Sequence, residues 1–168
     1  MECKLVLEFS KSSKGFTLVE VMVVLILLTL SFMVFLQALN TGKRVRANSE
    51  IRTIQGVILN SIENEIRARK FDENSSYPWS SVLGTDSGES TVGQFDDIDD
   101  FNGYSVSSLN EYPGFSYSVE VKYVSLDNGA FNLDPNPVTQ TDFKSATVTV
   151  SHSTQPAITD IMIISSGL

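Results

Sequence analysis

One carboxylate stands where an apolar segment should have none. Between Phe16 and Gly42 the only ionisable side chain is Glu20, and a charge inside a membrane-length helix costs about 2.5 to 3.5 kcal/mol on insertion scales, so it needs a partner. A second candidate is Gln94-Phe95-Asp96-Asp97-Ile98-Asp99-Asp100-Phe101, which puts four carboxylates within five positions. Hard cations such as calcium take several oxygen ligands. The spacing is not that of an EF-hand loop, which needs D-x-D-x-D-G and a distant glutamate. The expectation is therefore a solvated loop with no metal, Asp96, Asp97, Asp99 and Asp100 being the ligands calcium would use. His152, the single histidine, falls at an alternating strand position, where it reads as a strand-end residue and not a base. No motif supplies a nucleophile, a phosphate-cradling loop or metal-ligand spacing, which counts against an enzyme and against a cofactor.

The elements that carry these residues follow from periodicity. The run Phe16 to Leu36, FTLVEVMVVLILLTLSFMVFL, has 21 residues, and at about 1.5 Å per residue such a helix matches the roughly 30 Å hydrocarbon core of a bilayer. A secretory signal has a shorter apolar region and a small-residue cleavage site, which SFMVFLQALN does not offer. Lys4, Lys11 and Lys14 precede the run and favour a cytoplasmic amino terminus, although Lys43, Arg44 and Arg46 flank the other side. Beyond the span, Val45, Ile51, Ile54, Ile58, Ile62 and Ile66 recur three or four apart in most steps, with charges between them, so an amphipathic helix continues over 40–70. No proline interrupts it. Gly42 and Gly56 soften it at most, Gly42 being the likelier place to bend.

The rest, 71–168, reads as a head. Phe71 to Pro113 is loop-like, with Gly, Ser, Asp and Pro punctuation, and lone Trp79 within it is expected to pack. Phe115 to Tyr123 alternates strictly, as do Ala146, Val148, Val150 and His152, predicting strands with one buried face. Asp127-Asn128-Gly129 and Pro135-Asn136-Pro137 are turn chemistry. A turn at Ser153 to Ala157 then leads into a closing strand over Ile158 to Ile164. The fold class is α+β: a long helix on a small antiparallel sheet. The net charge of −8 argues against nucleic acid as a partner. The single cysteine, Cys3, leaves no internal disulfide.

Lys14-Gly15-Phe16-Thr17-Leu18-Val19-Glu20, between a short basic leader and a long apolar run, resembles the processing motif of type IV prepilins and of type II secretion pseudopilins. The resemblance implies that a prepilin peptidase removes residues 1–15 by cutting between Gly15 and Phe16, and that the new terminus at Phe16 is N-methylated. Gly15 suits a protease cleft because its backbone reaches extended conformations without a side chain in the way. Glu20 would then pair with the amino-terminal charge of a neighbouring subunit, the partner that its burial demands. The implied partners are the peptidase/methylase, other pilin or pseudopilin subunits and an inner-membrane assembly platform. The implied location is a single inner-membrane span over 16–39 with a periplasmic head, followed by assembly into a pilus or pseudopilus.

The head extends the likeness. Phe71-Asp72-Glu73, the Phe95 to Phe101 segment, and the GFSYSVEV and FKSATVTVSH strands are similar to the accessory minor pilins of mannose-sensitive haemagglutinin pili. No carboxy-terminal cysteine pair and no proline in the span are present, unlike the commoner major pilins. Two alternatives stay open: a minor pseudopilin of a type II secretion system, and an adhesive or ligand-binding minor pilin head.

Overall fold

The computed structural model describes residues 15–135 and 139–167. The leader residues 1–14, including Cys3 and its lysines, and the Asn136-Pro137 part of the second expected turn lie outside them. The chain divides into two compact units, Met1–Arg46 and Ala47–Leu168.

The helix α1, Leu18–Arg67, has 50 residues, as its unbroken periodicity and lack of proline predict. Through Leu36 it carries no ionisable side chain but Glu20, with a mean hydropathy of 2.7 over its most apolar window and none of that window buried. In the second unit one stripe is buried. Ile58, Ile62 and Ile66 face the core, with Ile51 and Ile54 half-buried beside them. Val45, expected on this stripe, is 59% exposed; the stripe begins one and a half turns later, where the head first offers a surface to cover it. Gln55 replaces an apolar residue in the stripe without penalty to its donors, because its Nε2 donates to the carbonyls of Val150 and Pro156 at 3.3 and 3.2 Å.

The sheet has the order β1-β2-β5-β6, all antiparallel. Its strands are β1 (Ser105–Val106), β2 (Phe115–Tyr123), β5 (Phe143–His152) and β6 (Gln155–Ser165). Between β2 and β5 a separate hairpin joins β3 (Ser125–Asp127) to β4 (Ala130–Asn132). Its turn, Asn128-Gly129, has φ of 51° and 83°, the left-handed pair that a two-residue hairpin loop requires and that Asn and Gly accept. The turn before β6 is shorter than the expected Ser153 to Ala157. The strand starts at Gln155 and accommodates Pro156, because an edge strand need not donate every N–H to a ladder.

Val119, Val121, Ala146, Val148, Val150 and Met162 form the inward face of the sheet against the isoleucines of α1. The segment 71–113 is more than a connector. It contributes Phe95, Ile98 and Phe101 to the same core and buries Trp79, whose Nε1 donates to Asp142 at 3.0 Å, as expected of a packing residue.

Candidate functional site

Two places gather the residues singled out above, and they are built differently. At the start of α1, Gly15 and Phe16 precede the first helical turn, and Thr17 caps it: the Glu20 N–H donates to Thr17 Oγ1 at 3.2 Å. Threonine followed three residues later by glutamate is a capping-box pattern, which satisfies amide donors that a helix start leaves free. Glu20 therefore lies in the first turn, at the positive end of the helix dipole, where a carboxylate is favoured. The T-x-x-E spacing at Thr17 was open to sequence reading and went unread. Around it the side chains are bare, Phe16 being 82% exposed, and the exposed apolar series continues through Leu39. Residues so apolar and so uncovered need lipid or another apolar helix.

The second place is the charged centre of the head. The strand alternation of β5 carries Val150, Val148 and Ala146 inward, and two residues further back it carries Lys144 inward as well. Lys144 is 0% exposed. Its Nζ donates to the Phe71 carbonyl at 2.7 Å, to Asp72 Oδ2 at 2.9 Å and to Asp99 Oδ1 at 2.7 Å, so each ammonium proton has an acceptor. The rings of Phe71 and Tyr123 stand 4.6 and 5.3 Å from the charge, a cation–π arrangement. Asp72 in turn accepts from the N–H groups of Asn74 and Ser80 and from the Ser80 hydroxyl. Burial pushes the Asp72 carboxyl up, but these donors and Lys144 outweigh it and hold the group below the usual carboxylate range.

The acidic segment is where sequence and structure part most. The expected solvated loop is instead largely buried: Asp97, Asp99 and Asp100 are sequestered and only Asp96 is exposed. Their carboxylates serve as local acceptors. Asp97 Oδ1 takes the N–H groups of Asp99 and Asp100, and Asp100 Oδ2 takes those of Asp96 and Asp97. Such side-chain bonds replace a ladder in a segment with no periodic strand or helix. Burial, then hydrogen bonding to Asp99 and its charge, pushes the Asp97 carboxyl up to about 8. The shift favours the protonated form, which reduces the negative charge buried beside Asp99.

Of the four calcium candidates, the structure divides two from two. Asp99 binds Lys144 directly, and Asp97 stands behind it, accepting from the Asp99 N–H. Asp96 and Asp100 join Glu89 in a group whose ligand atoms lie within 4.8 Å of one another. Asp96 is also in an ion pair with Lys70 at 3.0 Å, so this group already has a counter-charge. His152 is at the end of β5, its ring 4.5 Å from that of Phe115, consistent with a strand-end packing role. Gln55 went unread, and Asp72 and Lys144 were noted only within Phe71-Asp72-Glu73 and the FKSATVTVSH strand, without their pairing. Extending the inward register of β5 by one step would have found Lys144 and posed the question of which carboxylates pair with it.

An apolar amino-terminal helix joined to a small antiparallel α+β head is a pilin-like architecture, and the uncovered helix makes a membrane anchor. Residues 10–36 match the family model described as the prokaryotic N-terminal methylation motif. This match supports a type IV pilin or pseudopilin subunit, a structural component, with processing by a prepilin peptidase and assembly with other pilin subunits as its implied course. No curated protein and no solved structure matches the chain.

Proposed function

We propose that the protein is a minor pilin of a type IV pilus-like filament. Prepilin peptidase cuts between Gly15 and Phe16, the new amino terminus is methylated, and Glu20 pairs with the terminal charge of a neighbouring subunit during assembly. Before assembly the chain spans the inner membrane once over 16–39, amino terminus in the cytoplasm and head in the periplasm. The observation that carries this reading is the methylation motif over residues 10–36, set at the head of a helix whose most apolar window is wholly uncovered. Glu20 is suited to its role because the dipole of the first turn eases its charge without consuming it, leaving the carboxylate to attract an ammonium group. The acidic segment and the two long strands of the head favour the accessory pilins of mannose-sensitive haemagglutinin pili as the nearest subclass.

Intact mass of the protein, isolated from hosts with and without a prepilin peptidase, tests the reading. Loss of residues 1–15 and gain of one methyl group only when the peptidase is present is the expected result. An unchanged mass in both hosts would reduce the helix to a plain membrane anchor.

A further inference from the structure

The two edges of the sheet are unlike. β1 is 2 residues long, too short to template a further strand, whereas β6 runs for 11 residues and no strand pairs with its outer side among the described residues. An edge strand presents a row of free N–H and C=O groups on which an extended peptide can add itself. Ala157, Thr159, Asp160 and Ile161 lie exposed along it.

Negative charge guards that edge. Asp160 pairs across the ladder with Val148, so it falls on the core-facing side of β6, the side shared by Ile158, Met162 and Ile164. Beside it α1 brings Glu63, which is 7% exposed and whose Oε1 is buried with no hydrogen-bond partner among the described residues. Burial, then hydrogen bonding to Asp160 and its charge, push the Glu63 carboxyl up, while Arg67 opposes them. Arg67 is a poor counter-charge: its Nη2 stands 4.0 Å from Glu63 Oε2, and its Nε is turned to Met162 Sδ at 3.4 Å. Glu63 therefore meets Asp160 between helix and edge strand with an acceptor oxygen to spare.

An inward-pointing charge is one way a protein keeps stray strands off an edge. An added strand with an apolar or acidic inner face would cover Asp160 without a counter-charge and leave Glu63 Oε1 without a donor, both costly. A strand with a lysine or arginine at that position would give donors to both carboxylates. The same pair thus rejects one class of strand and admits another. We propose that the outer edge of β6 is a docking site for an extended segment of a partner protein, selected by a lysine or arginine opposite Asp160 whose charged end is received by Asp160 and Glu63. Main-chain bonds would supply adhesion and the two carboxylates the choice of partner and register. All of these groups lie in the head, so docking requires neither leader processing nor filament assembly.

The test uses the full chain in detergent micelles with a short strand joined after Leu168 by a flexible Gly-Ser linker. The strand alternates valine and threonine and carries a central lysine on its valine face, or a glutamate in the same place. The tether holds it near β6 at an effective concentration on the order of millimolar, so that even a weak contact registers. Amide exchange over 157–164 is the readout, and exchange in β2 and β5 reports that the head stays folded. The lysine strand is expected to slow exchange in β6 roughly tenfold or more while the glutamate strand does not. Glu63→Gln with Asp160→Asn should bring the two strands level. Protection by neither strand in the unaltered head, which would leave Asp160 as the guard of a closed edge, overturns the proposal. So does equal protection by both, or a preference for lysine that survives the paired substitution in a folded head.

Discussion

The two halves of α1 obey opposite rules although they are one helix. Up to Arg46 every described side chain is exposed, and through Leu36 most are apolar, so tertiary contacts within the chain contribute nothing to that stretch. From Ile51 onward the same helix is half covered, its polar intruder Gln55 is hydrogen-bonded, and its isoleucines close a core shared by the sheet and the acidic segment. The first half is completed by its surroundings and the second by its own chain. A mutation in one should therefore be silent in the measurement that reports on the other.

The largest effect is expected at the centre of the head. Lys144→Ala leaves Asp72 and Asp99 buried without their counter-charge and should destabilise the head by about 3 to 5 kcal/mol in urea unfolding, with leader processing unchanged. Phe101→Ala removes a buried ring packed edge-on to Phe95 at 5.0 Å, and a loss of about 3 to 5 kcal/mol is expected for a vacated aromatic site, at the low end if the segment collapses. Gln55→Ala frees the carbonyls of Val150 and Pro156 and should cost about 1 to 3 kcal/mol. Thr17→Ala removes the cap and should cost the helix start about 1 kcal/mol, seen in amide exchange of residues 18–21 and not in head unfolding.

The pH response sharpens the same contrast. The Asp97 carboxyl is raised from an ordinary 3.8 to about 8, so between those values the folded head binds a proton that the unfolded chain does not. Its contribution to stability is present in full below the ordinary value and is lost as pH rises toward 8. The urea midpoint of the head should therefore fall from pH 5 to pH 8, and Asp97→Asn, which imitates the protonated group, should flatten that slope. A slope that survives the substitution would place the effect elsewhere.

What could be read from the residues alone divides along physical lines. The helix and the two long strands announce themselves because a 3.6-residue or two-residue repeat is written into apolar spacing, as in Ile58, Ile62 and Ile66 or Val119 and Val121. The acidic segment has no repeat. Phe95, Ile98 and Phe101 reach the core through a short 3-10 turn held by aspartate side chains, so composition alone suggested solvent. The Lys144 centre joins residues 45 and 72 positions apart in sequence, a pairing that only the fold brings together. The methylation motif over residues 10–36 was legible for a different reason: it is a local pattern, and the head is not needed to recognise it.

The central claim is that assembly resides in the first half of α1 and is separable from the fold of the head. Glu20→Ala tests it most directly, with processed protein quantified in sheared filaments and in membranes of the same cells. The account predicts a subunit that is inserted, cut between Gly15 and Phe16, unchanged in head stability and depleted from filaments. Normal recovery of the variant in filaments would contradict the pairing assigned to Glu20 and the account built on it.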